Sequence, residues 1–177
     1  MGIVNGWWRR PALTLASALF LIGSSFVKLP IPWSPIPISI LSFSVALVSL
    51  FLGLPLAVVS TSLLLIFKFG MISDWGFSKF GGFPQIGYFV GMLFASSAVG
   101  YLSDRGYPDC FLRALGSLYI GSFLILGCGC FALSFYIPFD ELLIEGVLPF
   151  LAGDFIKNAA AAWIYVSIHK RTFGSHD

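Results

Sequence analysis

The chain has 177 residues, of which 58% are hydrophobic and only 10% charged, and its mean hydropathy is +0.92. Soluble domains carry about 25% charged residues, so this composition excludes one and predicts an all-α integral membrane protein. The net charge of +2 is too small to point to nucleic acid, and six spans of about 20 residues each leave room only for short connections, with no soluble ATPase or enzyme module.

Taken in order, the chain reads as one membrane domain over residues 1–177 with six spans in a compact bundle. Trp7, Trp8, Arg9 and Arg10 form an aromatic and basic start that suits a membrane interface. The apolar run after it is near spanning length and no clear small-x-small cleavage site follows, which argues against a signal peptide. The first span is predicted at about 11–28. Ala12 and Ala16 form a small-xxx-small pair on it, a spacing that lets helices approach closely; ordinary packing within the chain and a partner-protein face both fit. From Lys28 to Pro37 four prolines alternate with other residues, which forbids helix and favours a stiff extended loop. Trp33 lies in the middle of that loop, either as an interfacial aromatic or as the cap of a cavity.

The second span is predicted at about 38–54 and the third at about 55–70, separated only by the break that Gly53 and Pro55 impose. So short a link makes them antiparallel neighbours. A polar, glycine-rich interval follows, carrying Lys68, Asp74, Lys79, Gly81, Gly82, Gln85 and Tyr88, and it runs into a fourth span at about 85–102. A charged turn from Asp104 to Arg113 leads to a fifth span at about 112–136. Asp140, Glu141 and Glu145 make an acidic loop before the sixth span at about 147–169. Basic residues gather at one set of ends (Arg9, Arg10, Arg105, Arg113, Lys170, Arg171), and the bias of such residues toward the cytoplasm puts both termini there. The proline loop, the glycine-rich interval and the start of the sixth span then converge at the outer face, where a small ligand could be captured.

That sixth span carries the sharpest chemistry. Asp154 and Lys157 lie within it, and a charge inside a membrane segment costs roughly 2.5–3.5 kcal/mol on insertion scales and marks a cavity or a partner. Their spacing of three residues puts them on one helix face. The pair either neutralises itself inside the bundle or presents an acceptor and a donor to a ligand, which suits a ureido or amide group. Asn158 adds a further polar group beside them. Cys110, Cys128 and Cys130 have neither metal-ligand nor CxxC spacing and read as packing residues. His169 and His176 read as surface cations. No HExxH, GxSxG or P-loop pattern occurs, so no catalytic residue, metal or cofactor is expected, and binding or transport is favoured over an enzyme.

Three segments together resemble the biotin-specific S components of energy-coupling-factor transporters, the BioY family. Pro149, Phe150, Gly153, Asp154 and Lys157 are similar to that family's Pro-Phe-x-x-Gly-Asp-x-x-Lys. The run Pro35-Ile36-Pro37-Ile38-Ser39, with Leu52-Gly53 further on, resembles its Pro-Val-Pro-Ile-Thr and the Leu-Gly that ends the next helix. Phe83 to Gly91 is similar to its Gly-Pro-Thr-Gly-Gly-Tyr-Leu-x-Gly, with departures at Phe83, Gln85 and Ile86; Leu41 replaces a family Gln. The resemblance implies a high-affinity biotin-capturing subunit of the bacterial cytoplasmic membrane, energised by a transmembrane T component and a pair of ATPases. It implies that Asp154 and Lys157 engage polar groups of biotin, that Tyr88 and Gln85 line the site, and that Trp33 closes over it. Ala12 and Ala16 would face the T component, and Lys79 is the candidate partner for the valerate carboxylate. An S component for another vitamin, such as thiamine or riboflavin, a membrane-embedded enzyme and a non-transport assembly subunit stand as alternatives.

Overall fold

The computed structural model describes residues 8–29, 38–70, 83–138, 142 and 147–173. These form five helices: α1 (Arg9–Ser24), α2 (Leu41–Gly70), α3 (Phe83–Asp104), α4 (Phe111–Leu133) and α5 (Leu148–Phe173). Between α1 and α2, β1 (Lys28–Leu29) pairs antiparallel with β2 (Ile38–Ser39), with Lys28 opposite Ser39 and Leu29 opposite Ile38. Helix dominates because a span in lipid must satisfy every backbone N–H and C=O within itself. Residues 41–70, 85–104 and 111–133 are long and apolar enough to cross a membrane, and large apolar side chains such as Leu15, Phe20, Ile66, Phe123, Phe131 and Trp163 cover the outside. The molecule is an all-α, multi-pass membrane protein.

Helix α2 is two helical segments joined at Gly53, whose backbone (φ 72°, ψ −176°) leaves the helical region. That conformation lies outside the range L side chains adopt and belongs to glycine. Pro55, two residues on, falls in the first turn of the following segment, where its missing N–H breaks no hydrogen bond. The chain reverses here, since Leu41 at one end of α2 and Lys68 near the other line the same cavity. The end of α3 clamps the bend. Asp104 Oδ2 accepts the Leu54 N–H at 3.0 Å, placing a negative charge at a helix N-terminus. Ser103 Oγ donates to the Leu50 carbonyl at 2.5 Å. A Cβ on Gly53 would overlap the Asp104 carboxylate.

Small residues set how closely the other helices pack. Ser17 of α1 meets Ser60 of α2 at 2.6 Å between hydroxyl oxygens, and Ser44 donates to Ser24 at 2.9 Å. Helices α3 and α4 touch through Gly91, where any Cβ would strike the backbone of Ile125. Lipid tails are as apolar as leucine, so close van der Waals contact and short interhelical hydrogen bonds replace the hydrophobic drive of a soluble core. Three buried clusters result among the described residues: Leu21, Val45, Leu64, Phe89 and Met92 toward one end of the bundle, Leu50, Val99, Leu118, Ala161 and Tyr165 toward the other, and a smaller one of Tyr88, Leu133, Ile137 and Leu142.

Several helix ends lie a few residues from where the sequence places them; the last helix runs on to Phe173 rather than about 169. Lys28 and Ile38 were expected to end the first span and begin the second, but both lie in the β1–β2 ladder. There the two short segments satisfy each other's backbone groups in an antiparallel pair. The helix expected to run to residue 136 stops at Leu133, with a turn over 134–136; the backbone restriction ahead of Pro138 lies just beyond.

Candidate functional site

A cavity opens at the end of the bundle where α1 stops, α2 begins and ends, and α3 and α5 begin. Its walls come from six parts of the chain. Ser25 follows α1, and Ser39 belongs to β2. Leu41, Ser42 and Lys68 come from α2, Gln85, Tyr88, Phe89 and Met92 from α3, Ile125 and Leu126 from α4, and Asp154 and Lys157 from α5. Its volume is about 60 Å³, below the several hundred that ligand pockets ordinarily offer.

Asp154 and Lys157 sit on the inward face of α5, one helical turn apart as their spacing requires. Asp154 is buried, at 7% exposure. Its carboxylate has the Ser122 hydroxyl of α4 as a hydrogen-bonding neighbour and also feels the charge of Lys157. Lys157 does not close a salt bridge on it. Its ammonium donates to the backbone carbonyl of Ser39 at 2.8 Å, which ties α5 to β2. Ser122 also accepts from the Asn158 amide at 2.9 Å. Asn158 lines a second void of about 10 Å³ with Ser42, Ser49 and Ser122, room for about one water. The polar groups of α5 thus run inward from the main cavity as a connected set.

Gln85 and Tyr88 are both buried in the opposing wall. Tyr88 bears on Cys130 through a side-chain hydrogen bond, and its ring packs so tightly on α4 that a Cβ at Gly129 would overlap it. The cysteine that the sequence reading took as packing is therefore a neighbour of a cavity residue. Phe89, Met92, Ile125 and Leu126 supply apolar surface between the polar groups. Chemically the arrangement offers one carboxylate acceptor, two ammonium donors, an amide and several hydroxyls around an apolar middle. That suits reversible holding of a compact ligand with polar ends.

Of the expected site residues, the cavity brings together Asp154, Lys157, Tyr88 and Gln85. Trp33 and Lys79 lie outside the described residues. Ala12 and Ala16 are exposed along α1 and take no part in the cavity. Sequence reasoning missed Ser25, Ser42, Phe89 and Met92, which carry no signal apart from packing, and it also missed Lys68. A lysine one turn from a helix end reads as an interfacial cation, yet Lys68 is buried at 7% exposure. Its signal was available in the apolar run around it, Leu63 to Phe69, because an ionisable residue inside a span is a site candidate by default.

Comparison with known proteins bears on the fold and the family. The solved S component for biotin from an ECF-type ABC transporter is similar in fold, with a TM-score of 0.78 and 21% sequence identity over 96% of this chain and 95% of that one. No curated protein matches the chain. The model of the BioY family matches residues 5–173, nearly the whole chain, and the protein belongs to the BioY family.

Proposed function

We propose that this chain is the biotin-capturing S component of an energy-coupling-factor transporter in the bacterial cytoplasmic membrane. The observation that carries the reading is the meeting of Asp154 and Lys157 in one cavity of a BioY-family protein. Counting the two segments of α2 separately, six helical segments make one membrane domain with both termini in the cytoplasm, as the distribution of Arg and Lys favours. The cavity then faces outward.

Biotin is mostly apolar apart from its ureido group and its carboxylate. The Asp154 carboxylate accepts ureido N–H groups, and Lys157 donates to the ureido carbonyl. An ammonium has three donors, so Lys157 can hold Ser39 and the ligand together and link ligand binding to the base of the proline loop. Tyr88, Gln85 and the apolar residues between them surround the fused rings, and Trp33 closes the mouth. At about 60 Å³ the cavity is smaller than the vitamin, so its walls part on entry. Transport against a gradient draws on a T component and two ATPases, with Ala12 and Ala16 on the exposed side of α1 available to the T component.

Isothermal titration of biotin into the protein in detergent tests this. Nanomolar-range binding is expected, weakened at least tenfold, or about 1.4 kcal/mol, in Asp154→Asn and in Lys157→Ala. Wild-type affinity in both variants would remove the site. A folded protein that ignores biotin and binds thiamine or riboflavin would keep the S component and change its substrate.

A further inference from the structure

Helices α3 and α4 have a second hollow on the other side of the seam that walls the cavity. Gln85, Tyr88 and Phe89 of α3 and Ile125 and Leu126 of α4 line the cavity. Their neighbours in sequence, Ile86, Gly87 and Val90 on α3 and Gly127 and Cys128 on α4, line a groove of about 490 Å³, several times the cavity's volume. The floor is made of small residues. A Cβ at Gly87 would strike Ala132 and the Cys128 carbonyl, so the two helices touch there. Phe131 and Phe135, both strongly exposed, raise one rim, and their rings brace each other edge to face at 5.4 Å.

The groove opens onto lipid. Both helices are long and apolar enough to cross a membrane, and exposed Phe94 and Phe123 continue the same apolar surface along them. The lining carries no charged side chain, which rules out an ionic ligand. Its reach fits one kind of occupant. From Phe135 to Gly127 is about 12 Å at the helical rise, and half of a hydrocarbon core about 30 Å thick is about 15 Å. Tyr136 stands at the mouth, a residue type that favours the headgroup level. Lipid tails gain no hydrophobic drive by leaving one another, so selection rests on shape. A groove with a low floor and a raised rim surrounds a chain on several sides where a convex helix touches it on one, and the added dispersion contacts hold it.

We propose that this groove seats one phospholipid acyl chain from the leaflet on the cavity side, and that the chain braces the outer face of the wall whose inner face carries Gln85 and Tyr88. The site takes hydrocarbon and is indifferent to the headgroup. It does not depend on which ligand the cavity holds.

The experiment uses wild type, Gly127→Leu and Gly116→Leu in detergent, each mixed with palmitoyl-oleoyl phosphatidylglycerol or phosphatidylethanolamine. Retained lipid is read by native mass spectrometry. A Cβ at either glycine meets nothing within 4 Å, so both leucines are compatible with the fold, and of the two glycines Gly127 alone lines the groove. Wild type and Gly116→Leu are expected to retain one lipid of either headgroup. Gly127→Leu fills the groove, and the lost dispersion contacts lower occupancy roughly tenfold. A phospholipid with a diazirine in its acyl chain should label wild type at residues 86–90 and 127–136. Equal retention by all three proteins, equal loss in both variants, retention of one headgroup only, or no retained lipid overturns the site. Labelling spread evenly over the lipid-facing helices of wild type overturns it even if Gly127→Leu does not fold.

Discussion

The two ends of this bundle use the same residue types to opposite effect. At the Gly53 end, polar side chains terminate on protein: Asp104 accepts the Leu54 N–H, Ser103 donates to the Leu50 carbonyl, and Arg113 meets Asp109 at 2.7 Å. At the other end Asp154, Lys157, Lys68 and Gln85 converge on a void. A carboxylate that caps a backbone N–H has met its need within the fold. A carboxylate that lines a cavity keeps acceptor capacity for a guest. On the proposed reading the first end is structural and the second binds the ligand, and the contrast can be broken by any variant that moves affinity at the closed end or stability alone at the open one.

The largest effect is expected at Gly53. Valine there must adopt a positive φ and place its side chain into the Asp104 carboxylate. Backbone strain of this kind costs roughly 1–3 kcal/mol before the collision is added, so Gly53→Val should lower the melting temperature in detergent by several degrees and reduce yield. The fraction that folds should bind biotin as wild type does, because the bend lies at the far end from the cavity. Lost affinity in a well-folded Gly53→Val protein would mean that the two ends are coupled and the division is false.

A milder cut at the same end is Asp104→Ala. It removes the cap on the Leu54 N–H without introducing strain. Losing a side-chain cap costs about 1 kcal/mol, so a smaller fall in melting temperature is expected, again at unchanged affinity. An Asp104→Asn protein, which retains an acceptor, should recover most of the loss. If alanine and asparagine melt alike and like wild type, the cap contributes nothing and Gly53 alone holds the bend.

How much of this contrast was legible in the sequence depends on the range of the interaction. The bend was legible because Gly53 and Pro55 are local statements about backbone. The shared face of Asp154 and Lys157 was legible because three residues along a helix is geometry. The partner of Lys157 was not: it is a backbone carbonyl in β2, and every residue offers one of those. The Asp104 cap joins positions 50 residues apart, and nothing in the charged turn from Asp104 to Arg113 separates a capping carboxylate from a solvated one. Lys68 was missed because two opposed fates, reaching out to headgroups or turning in to a cavity, share one local sequence. Packing around α2 decides between them, and packing is not written in any window of the chain.

Ser122 offers the finest test, because it stands between the two classes. Its hydroxyl accepts from the Asn158 amide at 2.9 Å and supports the Asp154 carboxylate, so it terminates on protein while orienting a group that faces the cavity. Ser122→Ala removes one donor from the carboxylate and leaves a buried amide short of an acceptor. A neutral hydrogen bond nets about 1 kcal/mol, which corresponds to a loss of roughly threefold to tenfold in biotin affinity if the bond serves the site. The same bond would appear only as a small drop in melting temperature if it serves the fold. Ser122→Thr keeps the hydroxyl and should restore affinity. Affinity lost in alanine and recovered in threonine would extend the binding end of the molecule one layer into the bundle, through α4. Unchanged affinity with a lowered melting temperature would stop it at Asp154 and make the Ser122–Asn158 contact part of the scaffold.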